Sequence, residues 1–393
     1  MYLSFIIGLM TGSLVSIFLA LLGIAQYLLI EQPWFVYLLP VAALIVMFLN
    51  QYGQIPHHFG VKKNILQLQQ MNQLTTLDFP RFRAIFLAIQ TFTSQIVGAS
   101  TGREGVAVQL GIHVVSWIPE KWRAQQDTRL LFISGAAAGF SAAVGAPLAA
   151  VFFVIELFRR QESIRKLFLY GIIASLVAYV CTQVFQVKHT QLPHLPFYRF
   201  QFKQINYIVF SLFCFALMAR TFKWLLSQSE YRLNLLIQNE NKRLFAMSFI
   251  YLILILILPG QQWIGLGTVW IEKYFLVPAV GYLFLIKLFV TVFCIAIGFR
   301  GGEFIPLLFI GATMGNYFAQ QFGLPISLMA ALGFIAIFSG ASRLFLTSIF
   351  LAIELFGWEV SGWALLAILM SFLFSGKESI YQESHIKSNQ TNV

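Results

Sequence analysis

Residues 102–106 read Gly-Arg-Glu-Gly-Val, and an apolar segment of helical length follows them. Two glycines that flank a charged pair before such a segment predict a helix N-terminus at membrane depth. The first backbone N–H groups of a helix have no intrahelical partner and carry a partial positive charge, so this N-terminus can hold an anion. Glu104 lies in the first turn, where its carboxylate can occupy the same anion position.

The protonation state of Glu104 leads to a second expectation. A protonated side chain would leave the anion position open, so one group could compete with the anion and also carry a proton. The alternative is a plain ion pair between Arg103 and Glu104. Ionisable residues inside membranes are costly and mark functional sites by default, which favours the functional interpretation.

A second stretch repeats this pattern. Residues 300–306 read Arg-Gly-Gly-Glu-Phe-Ile-Pro and lead into another apolar segment. Proline is preorganised for the first turn of a helix. The backbone N–H groups of Phe304 and Ile305 are therefore predicted to be a second set of anion donors. Considered alone, the stretch would fit an ordinary loop before a helix.

The composition identifies a membrane protein. Hydrophobic residues make up 59% of the chain, charged residues 10%, and the mean hydropathy is +0.77. Soluble domains carry roughly 25% charged residues, so this chain lacks the polar surface of a soluble protein. A membrane-crossing helix needs about 20 apolar residues. Runs without Asp, Glu, Lys or Arg predict full crossings at 1–30, 167–187 and 246–270, and two helices within 307–342.

Other apolar segments are short or interrupted by Gly and Pro. Helices of this kind are typical of transporters whose binding site lies near the bilayer midplane. The segments are 104–118, 145–158, 304–318 and 326–340. The chain is therefore predicted to be an all-α, polytopic membrane protein with one transport domain over residues 1–375 and a short polar tail over 376–393.

Two spacings indicate an internal repeat. Glu104 and Glu303 lie 199 residues apart, and the Ile-Glu-Leu sequences at Glu156 and Glu354 lie 198 residues apart. Such halves are usually inverted in transporters. The recurrence of Glu156 and Glu354 suggests that these two residues cap or pair helices. The shared offset predicts two homologous halves, at about residues 30–190 and 205–375.

The distribution of charges argues against other classes of protein. The net charge is +11, and Lys and Arg gather in short connections such as 121–129 and 159–166, which we predict to face the cytoplasm. Without a soluble basic domain, nucleic-acid binding is not expected. Three scattered cysteines without histidine partners indicate neither a metal site nor a cofactor. An enzyme is not expected, because the sequence shows no cluster of a nucleophile, a base or metal ligands. A cation transporter is not expected either, because it should show several acidic residues along its pathway.

The motifs resemble those of a known family. Residues 102–111 (GREGVAVQLG), 135–157 (GAAAGFSAAVGAPLAAVFFVIEL) and 301–306 (GGEFIP) are similar to three landmark segments of the CLC family of chloride channels and anion/proton antiporters. The resemblance extends from about residue 50 to 382. It implies inverted halves, an anion site made by helix N-termini, and a multi-pass protein of the bacterial inner (plasma) membrane. It also implies a homodimer in which each subunit has its own anion pathway.

The resemblance implies roles for three residues. Glu104 is similar to the family's gating glutamate, and Phe304 to its pore-lining phenylalanine, whose backbone N–H faces the anion. Tyr381 ends the sequence Ser-Gly-Lys-Glu-Ser-Ile-Tyr and is similar to the family's anion-coordinating tyrosine. An ordinary aromatic residue at the membrane interface is the alternative for Tyr381.

The serine motif that supplies a hydroxyl to the anion in this family is missing. The family spacing places it on residues 62–66, with Asn64 or Lys63 near the serine position. An amide or an ammonium group there would still donate a hydrogen bond to an anion. An alternative placement on residues 52–56, Tyr-Gly-Gln-Ile-Pro, keeps the Ile-Pro pair but makes the spacing too long.

Two further positions depart from the family pattern. Leu157 follows Glu156 where the antiporters have an internal proton glutamate, and Val106 stands where the family has proline. The departures together resemble the fluoride/proton antiporter branch, whereas loss of the internal glutamate also fits a passive chloride channel of the voltage-gated type. We expect transport of chloride or fluoride coupled to proton antiport through Glu104. The anion site is expected to contain Gly102, Arg103, Gly105, Val106, Phe304, Ile305, Tyr381, Asn64 and Lys63.

Overall fold

A computed structural model describes residues 1–53, 55, 60–71, 80, 82–123, 127–199, 201–258 and 260–381. These residues form seventeen α-helices. The helices of the first half are α1 (Tyr2–Glu31), α2 (Leu39–Tyr52), α3 (Val61–Gln70), α4 (Arg83–Ile96), α5 (Glu104–Val114), α6 (Glu120–Arg123), α7 (Thr128–Val144), α8 (Pro147–Phe158) and α9 (Ile164–Val184). Those of the second half are α10 (Phe202–Leu236), α11 (Glu240–Ile257), α12 (Thr268–Tyr274), α13 (Leu283–Ile297), α14 (Phe304–Phe322), α15 (Ile326–Ser342), α16 (Phe345–Phe356) and α17 (Ser361–Phe374).

Several of these helices have the length and composition of membrane crossings. In the described part of the chain, four helical stretches qualify: Tyr2–Glu31, Pro33–Tyr52, Ile164–Val184 and Phe202–Leu236. Shorter apolar helices of 10–17 residues accompany them. The protein is therefore an all-α, multi-pass membrane protein, which confirms the predicted fold class. Of the polar tail expected at 376–393, residues 382–393 lie outside the described residues.

The single crossing predicted for residues 246–270 is wrong. α11 ends at Ile257, and the chain does not return to helix until α12 begins after Gly267. The cause lies in the sequence Leu-Pro-Gly at 258–260, because proline disfavours helical backbone in the residue before it. Gly260 then takes a φ of +98°, which only glycine adopts easily.

Short helices in both halves cross at glycines. A methyl group added to Gly111 of α5 would lie 1.9 Å from the carbonyl oxygen of Gly135 in α7. In the second half, a methyl group added to Gly315 of α14 would lie 2.0 Å from the carbonyl oxygen of Met329 in α15. Small residues allow such close backbone approach between membrane helices. α14 and α15 also confirm the two helices predicted within 307–342.

Glu156 and Glu354 cap each other's helices, as their recurrence in the sequence suggested. The Glu354 carboxylate at the end of α16 accepts the N–H groups of Leu148 and Ala149 at the start of α8, both at 2.8 Å. The Glu156 carboxylate at the end of α8 accepts the N–H groups of residues 345–347 at the start of α16, at 2.7–3.0 Å. The exchange holds α8 and α16 antiparallel, because each negative charge faces a positive helix end.

The two basic connections lie on the same side of the fold. Arg129, at the start of α7, forms an ion pair with Glu162, between α8 and α9, with Nη1 and Oε1 3.2 Å apart. Arg129 Nη1 also donates to the carbonyl of Gln161 at 3.4 Å. The two connections therefore lie close enough to face the same side of the membrane, as the predicted cytoplasmic location requires.

Candidate anion site

Two helix starts meet at one point of the fold. The N–H of Gly102 donates to the carbonyl of Gly302 at 2.5 Å, and the N–H of Gly302 donates back to Gly102 at 2.9 Å. A methyl group on Gly102 would lie 2.8 Å from the Gly302 carbonyl oxygen, so the crossing requires glycine. α5 begins at Glu104 and α14 at Phe304, each two residues beyond the crossing. The N–H of Gly102 is therefore used in the crossing of the two helix starts.

The Glu104 side chain folds back over the start of its own helix. Its Oε2 accepts the backbone N–H of Arg103 at 3.1 Å, and the N–H groups of Glu104 and Ile305 also interact with the carboxylate. The side chain is only 3% exposed. A carboxyl group thus lies between the N-termini of α5 and α14, where the sequence predicts that an anion binds.

The ion pair considered as an alternative is also present. Arg103 Nε lies 3.6 Å from Glu104 Oε1, and both side chains are buried. The pair does not displace Glu104 from the helix starts, since the carboxylate still accepts the backbone N–H of Arg103. Arg103 therefore adds positive charge beside the site through its side chain.

Aromatic side chains connect Phe304 with Tyr381. The Phe304 ring meets the Phe140 ring edge-on at 6.1 Å, and Phe140 stacks on Phe153 at 4.8 Å. Phe153 in turn meets Tyr381 edge-on at 5.6 Å. Tyr381 is 8% exposed and lies within electrostatic reach of Glu104. Residues from α5, α14 and the C-terminal segment are thus brought to one place.

The two candidates for the missing serine, Asn64 and Lys63, differ in burial. Asn64 is fully buried, and within the described residues neither atom of its amide has a hydrogen-bond partner. Lys63 is partly exposed. α3 packs against the start of α5, because a methyl group on Gly105 would lie 3.1 Å from the Val61 side chain. A buried amide without a partner is costly, and a bound anion would satisfy its N–H donors.

The remaining sequence-predicted positions are less informative. Val106 is buried in the first turn of α5. In the alternative serine-motif placement, Gln54 and Pro56 lie outside the described residues, and Tyr52 at the end of α2 is 71% exposed.

In the sequence, Glu303 stands out only as the repeat counterpart of Glu104. The structure places it directly before α14, next to the crossing and within electrostatic reach of Glu104, Lys62 and Tyr381. Its offset of 199 residues from Glu104 was the available signal. Glu156, in contrast, accepts hydrogen bonds from the N–H groups at the start of α16.

The fold and site together define a class: a multi-pass membrane protein that holds a carboxyl group between opposed helix starts. The chain belongs to the voltage gated chloride channel family, whose model matches residues 41–376. This match confirms the resemblance found in the sequence.

Individual relatives agree with this assignment. A chloride/fluoride channel protein of Pseudomonas syringae pv. tomato is 29% identical over 388 residues, which cover 97% of this chain and 85% of that protein. The H(+)/Cl(-) exchange transporter ClcA of Vibrio cholerae is 28% identical over 284 residues, 66% of this chain. The match spans 58% of the length of ClcA.

Solved structures show the same fold. The crystal structure of a CLC-type fluoride/proton antiporter matches with a TM-score of 0.88 at 27% identity, covering 97% of this chain and 96% of that one. A slow cyanobacterial Cl-/H+ antiporter matches with a TM-score of 0.79 at 20% identity, over 99% of this chain and 97% of that one. The CLC-like architecture predicted from the motifs is confirmed.

Proposed function

We propose that this protein moves small inorganic anions, fluoride or chloride, across the membrane in exchange for protons, with Glu104 as the gate. The observation that carries the proposal is the buried Glu104 carboxyl group, which accepts the N–H of Arg103 at the start of α5 and interacts with the N–H of Ile305 at the start of α14. A carboxylate and a halide ion both bind to N–H donors, so they compete for the same place. Protonation removes the charge that holds the side chain there and lets the anion replace it.

Asn64 supports fluoride as the first anion to test. Its amide offers two N–H donors where a serine would offer one hydroxyl, and both of its polar atoms are buried. A small ion with a tightly bound hydration shell requires strong donors in return for the water that it loses. Similarity to a fluoride/proton antiporter and to a chloride/fluoride channel protein points in the same direction.

Glu303 is our candidate for the second proton-carrying group. Leu157 cannot ionise, and Glu156 caps α16, so the usual internal position offers no proton carrier. Glu303 lies next to the crossing and interacts electrostatically with Glu104. Two carboxylates at one site can exchange a proton while an anion passes, because only one of them is readily ionised when both are close.

The test is parallel measurement of anion and proton flux from liposomes that contain the purified protein. Wild type should move protons in the direction opposite to fluoride, and Glu104→Gln should abolish proton movement because the amide cannot ionise. Glu359→Gln, at an exposed carboxylate, is the matched control and should behave as wild type. If Glu104→Gln keeps coupled, pH-dependent transport, the assignment of Glu104 is wrong. Repetition with chloride in place of fluoride determines the preferred anion.

A passive channel is the second candidate. The observation that favours a channel is Leu157, which is 3% exposed. It stands where the antiporters have their internal proton glutamate, so this position cannot carry a proton. In that case wild type would move anions without proton movement at any pH, and Glu303→Gln would leave the flux unchanged.

We also propose a homodimer in the bacterial inner membrane, as the resemblance implies. The cross-capped helices α8 and α16 present Leu148 and Leu346 outward, each 37% exposed, as a paired apolar surface. The mass of the detergent-solubilised protein, after subtraction of detergent, should be twice the chain mass of 44.5 kDa. A mass of one chain would contradict the dimer without affecting the transport proposal.

A further inference from the structure

We propose that Lys223 is a positioning residue that fixes Tyr381 in the anion pathway by holding the C-terminal segment against the end of α15. Lys223 belongs to α10 and is 7% exposed. Its Nζ donates to the carbonyl of Gly340 at 2.9 Å and to the carbonyl of Glu378 at 2.7 Å. One buried ammonium group therefore joins a helix end to the segment that carries Tyr381.

The end of α15 is where the C-terminal segment attaches. Lys223 and the hydroxyl of Ser375, at 3.1 Å, satisfy the carbonyl of Gly340. The N–H of Ile380 donates to the carbonyl of Ala341 at 3.0 Å. Carbonyls in the last turn of a helix have no intrahelical partner, so an external donor must satisfy them. Here the C-terminal segment and Lys223 supply those donors.

Ser379 extends this attachment to Tyr381. Its hydroxyl donates to the carbonyl of Ser342 at 2.6 Å, and the N–H of Tyr381 donates to the same hydroxyl at 3.1 Å. The backbone is thus held on both sides of Ser379. Lys223 binds the carbonyl of Glu378 on one side, and Ala341 accepts the N–H of Ile380 on the other. The Tyr381 ring is then directed into the aromatic contact with Phe153.

A cation suits this position for an electrostatic reason. The C-terminus of a helix carries a partial negative charge, which would repel an approaching anion. The ammonium of Lys223 offsets that charge at the end of α15, and it is buried, so a charge without a partner would be costly there. Its ammonium group donates to two backbone carbonyls, which suggests a role in holding the chain.

The inference rests on the proposed anion-binding role of Tyr381, and a double-mutant cycle separates the two. The half-saturating anion concentration for flux is measured for wild type, Lys223→Met, Tyr381→Phe and the double variant. Tyr381→Phe should raise it by about tenfold, equivalent to about 1.4 kcal/mol. Lys223→Met should raise it similarly in the wild-type background but by less than twofold in the Tyr381→Phe background. Lys223→Arg, which keeps the charge and the donors, should recover part of the loss.

Lys287→Met is the matched control. Lys287 is also buried and also donates to two backbone carbonyls, those of Trp263 and Gly265, at 3.0 and 2.9 Å. Its loss should lower the yield of folded protein, and any effect on the half-saturating concentration should be the same in both Tyr381 backgrounds. If Lys223→Met fails to fold, Ser379→Ala replaces it in the cycle, since that hydroxyl belongs to the same attachment.

The outcomes distinguish the two claims. If Tyr381→Phe leaves the half-saturating concentration unchanged, the proposed role of Tyr381 is wrong and this inference is overturned with it. If Tyr381→Phe acts as expected but the effects of Lys223→Met, or of Ser379→Ala, simply add to it, the anion role of Tyr381 stands and the positioning role of Lys223 is overturned.

Discussion

The exchange of caps between α8 and α16 leads to a quantitative prediction for Glu156→Gln. The Glu156 carboxylate accepts four hydrogen bonds: Oε1 from the N–H groups of Phe345 and Leu346, and Oε2 from the N–H and hydroxyl of Thr347, the latter at 2.6 Å. A glutamine keeps one acceptor oxygen and places an NH₂ group where Oε2 was. The Thr347 hydroxyl can reverse and accept from that group, but the Thr347 N–H loses its acceptor.

The magnitude follows from these contacts. A hydrogen bond to a charged group contributes about 1.5–3 kcal/mol and a neutral one about 0.5–1.5 kcal/mol. Each bond that changes from a charged to a neutral partner is weakened by about 1 kcal/mol. One bond lost and three weakened give a destabilisation of about 4.5–6 kcal/mol for Glu156→Gln. Glu354→Gln loses one of two bonds and weakens the other, so about 2.5–4 kcal/mol is expected. Glu359→Gln, at an exposed position, should change stability by less than about 0.5 kcal/mol.

The assay is reversible unfolding in mixed micelles with an increasing fraction of sodium dodecyl sulfate, followed by the fluorescence of the eight tryptophans. Proton and anion fluxes are measured on the same preparations. We expect the order Glu156→Gln, Glu354→Gln, Glu359→Gln from most to least destabilised, with the ratio of proton to anion flux unchanged in the folded protein. Loss of proton coupling in Glu156→Gln at wild-type stability would refute the capping role and make Glu156 a proton carrier.

Further predictions concern the site and the orientation of the chain. Asn64→Leu should raise the half-saturating anion concentration by about tenfold, because a donor to a charged group is lost, whereas Asn64→Ser keeps one donor and should lose less; equal effects would contradict the assignment. Gly102→Ala should abolish flux, because the added methyl group would lie 2.8 Å from a backbone oxygen; full flux would show that the crossing can separate without harm. Glu303→Gln should slow proton and anion flux together. If the variant moves both protons and anions at the wild-type rates, Glu303 is not a proton carrier. Arg160→Cys, in a variant without the three native cysteines, should react with an impermeant maleimide in inverted vesicles and not in intact cells; labelling in intact cells would reverse the orientation.

Much of the local structure was predictable from the sequence. The helix start at Glu104 follows from the glycine-flanked charged pair, and the start at Phe304 follows from Gly-Gly before a segment with proline in its first turn. These signals are local, because a helix end depends on the backbone freedom of a few residues and on which N–H groups lack partners. The wrong prediction of one helix over 246–270 has a local cause as well, because Leu-Pro-Gly stands where α11 ends. The prediction relied on the absence of charged residues in this run and gave no weight to that signal.

The content of the site was only partly predictable. Glu104, Phe304 and Asn64 could be proposed from motif and spacing, whereas the burial that favours Asn64 over Lys63 is visible only in the structure. Gly102 was expected to belong to the anion site, and the structure adds that its N–H donates to the carbonyl of Gly302. Which donors stay free at a helix start depends on what the rest of the chain places beside it, and no local pattern contains that information.

The sequence by itself determined that this chain crosses a membrane, that it has two related stretches about 200 residues apart, and that both begin helices suited to an anion. Only the tertiary structure decided that these starts meet at Gly102 and Gly302, that Glu156 serves the helix of the other half, and that Lys223 reaches the segment of Tyr381. The physical reason is the separation along the chain of the residues that determine each feature. Helix ends follow from neighbouring residues, whereas the meeting of groups far apart in the chain depends on how all of the helices pack at once.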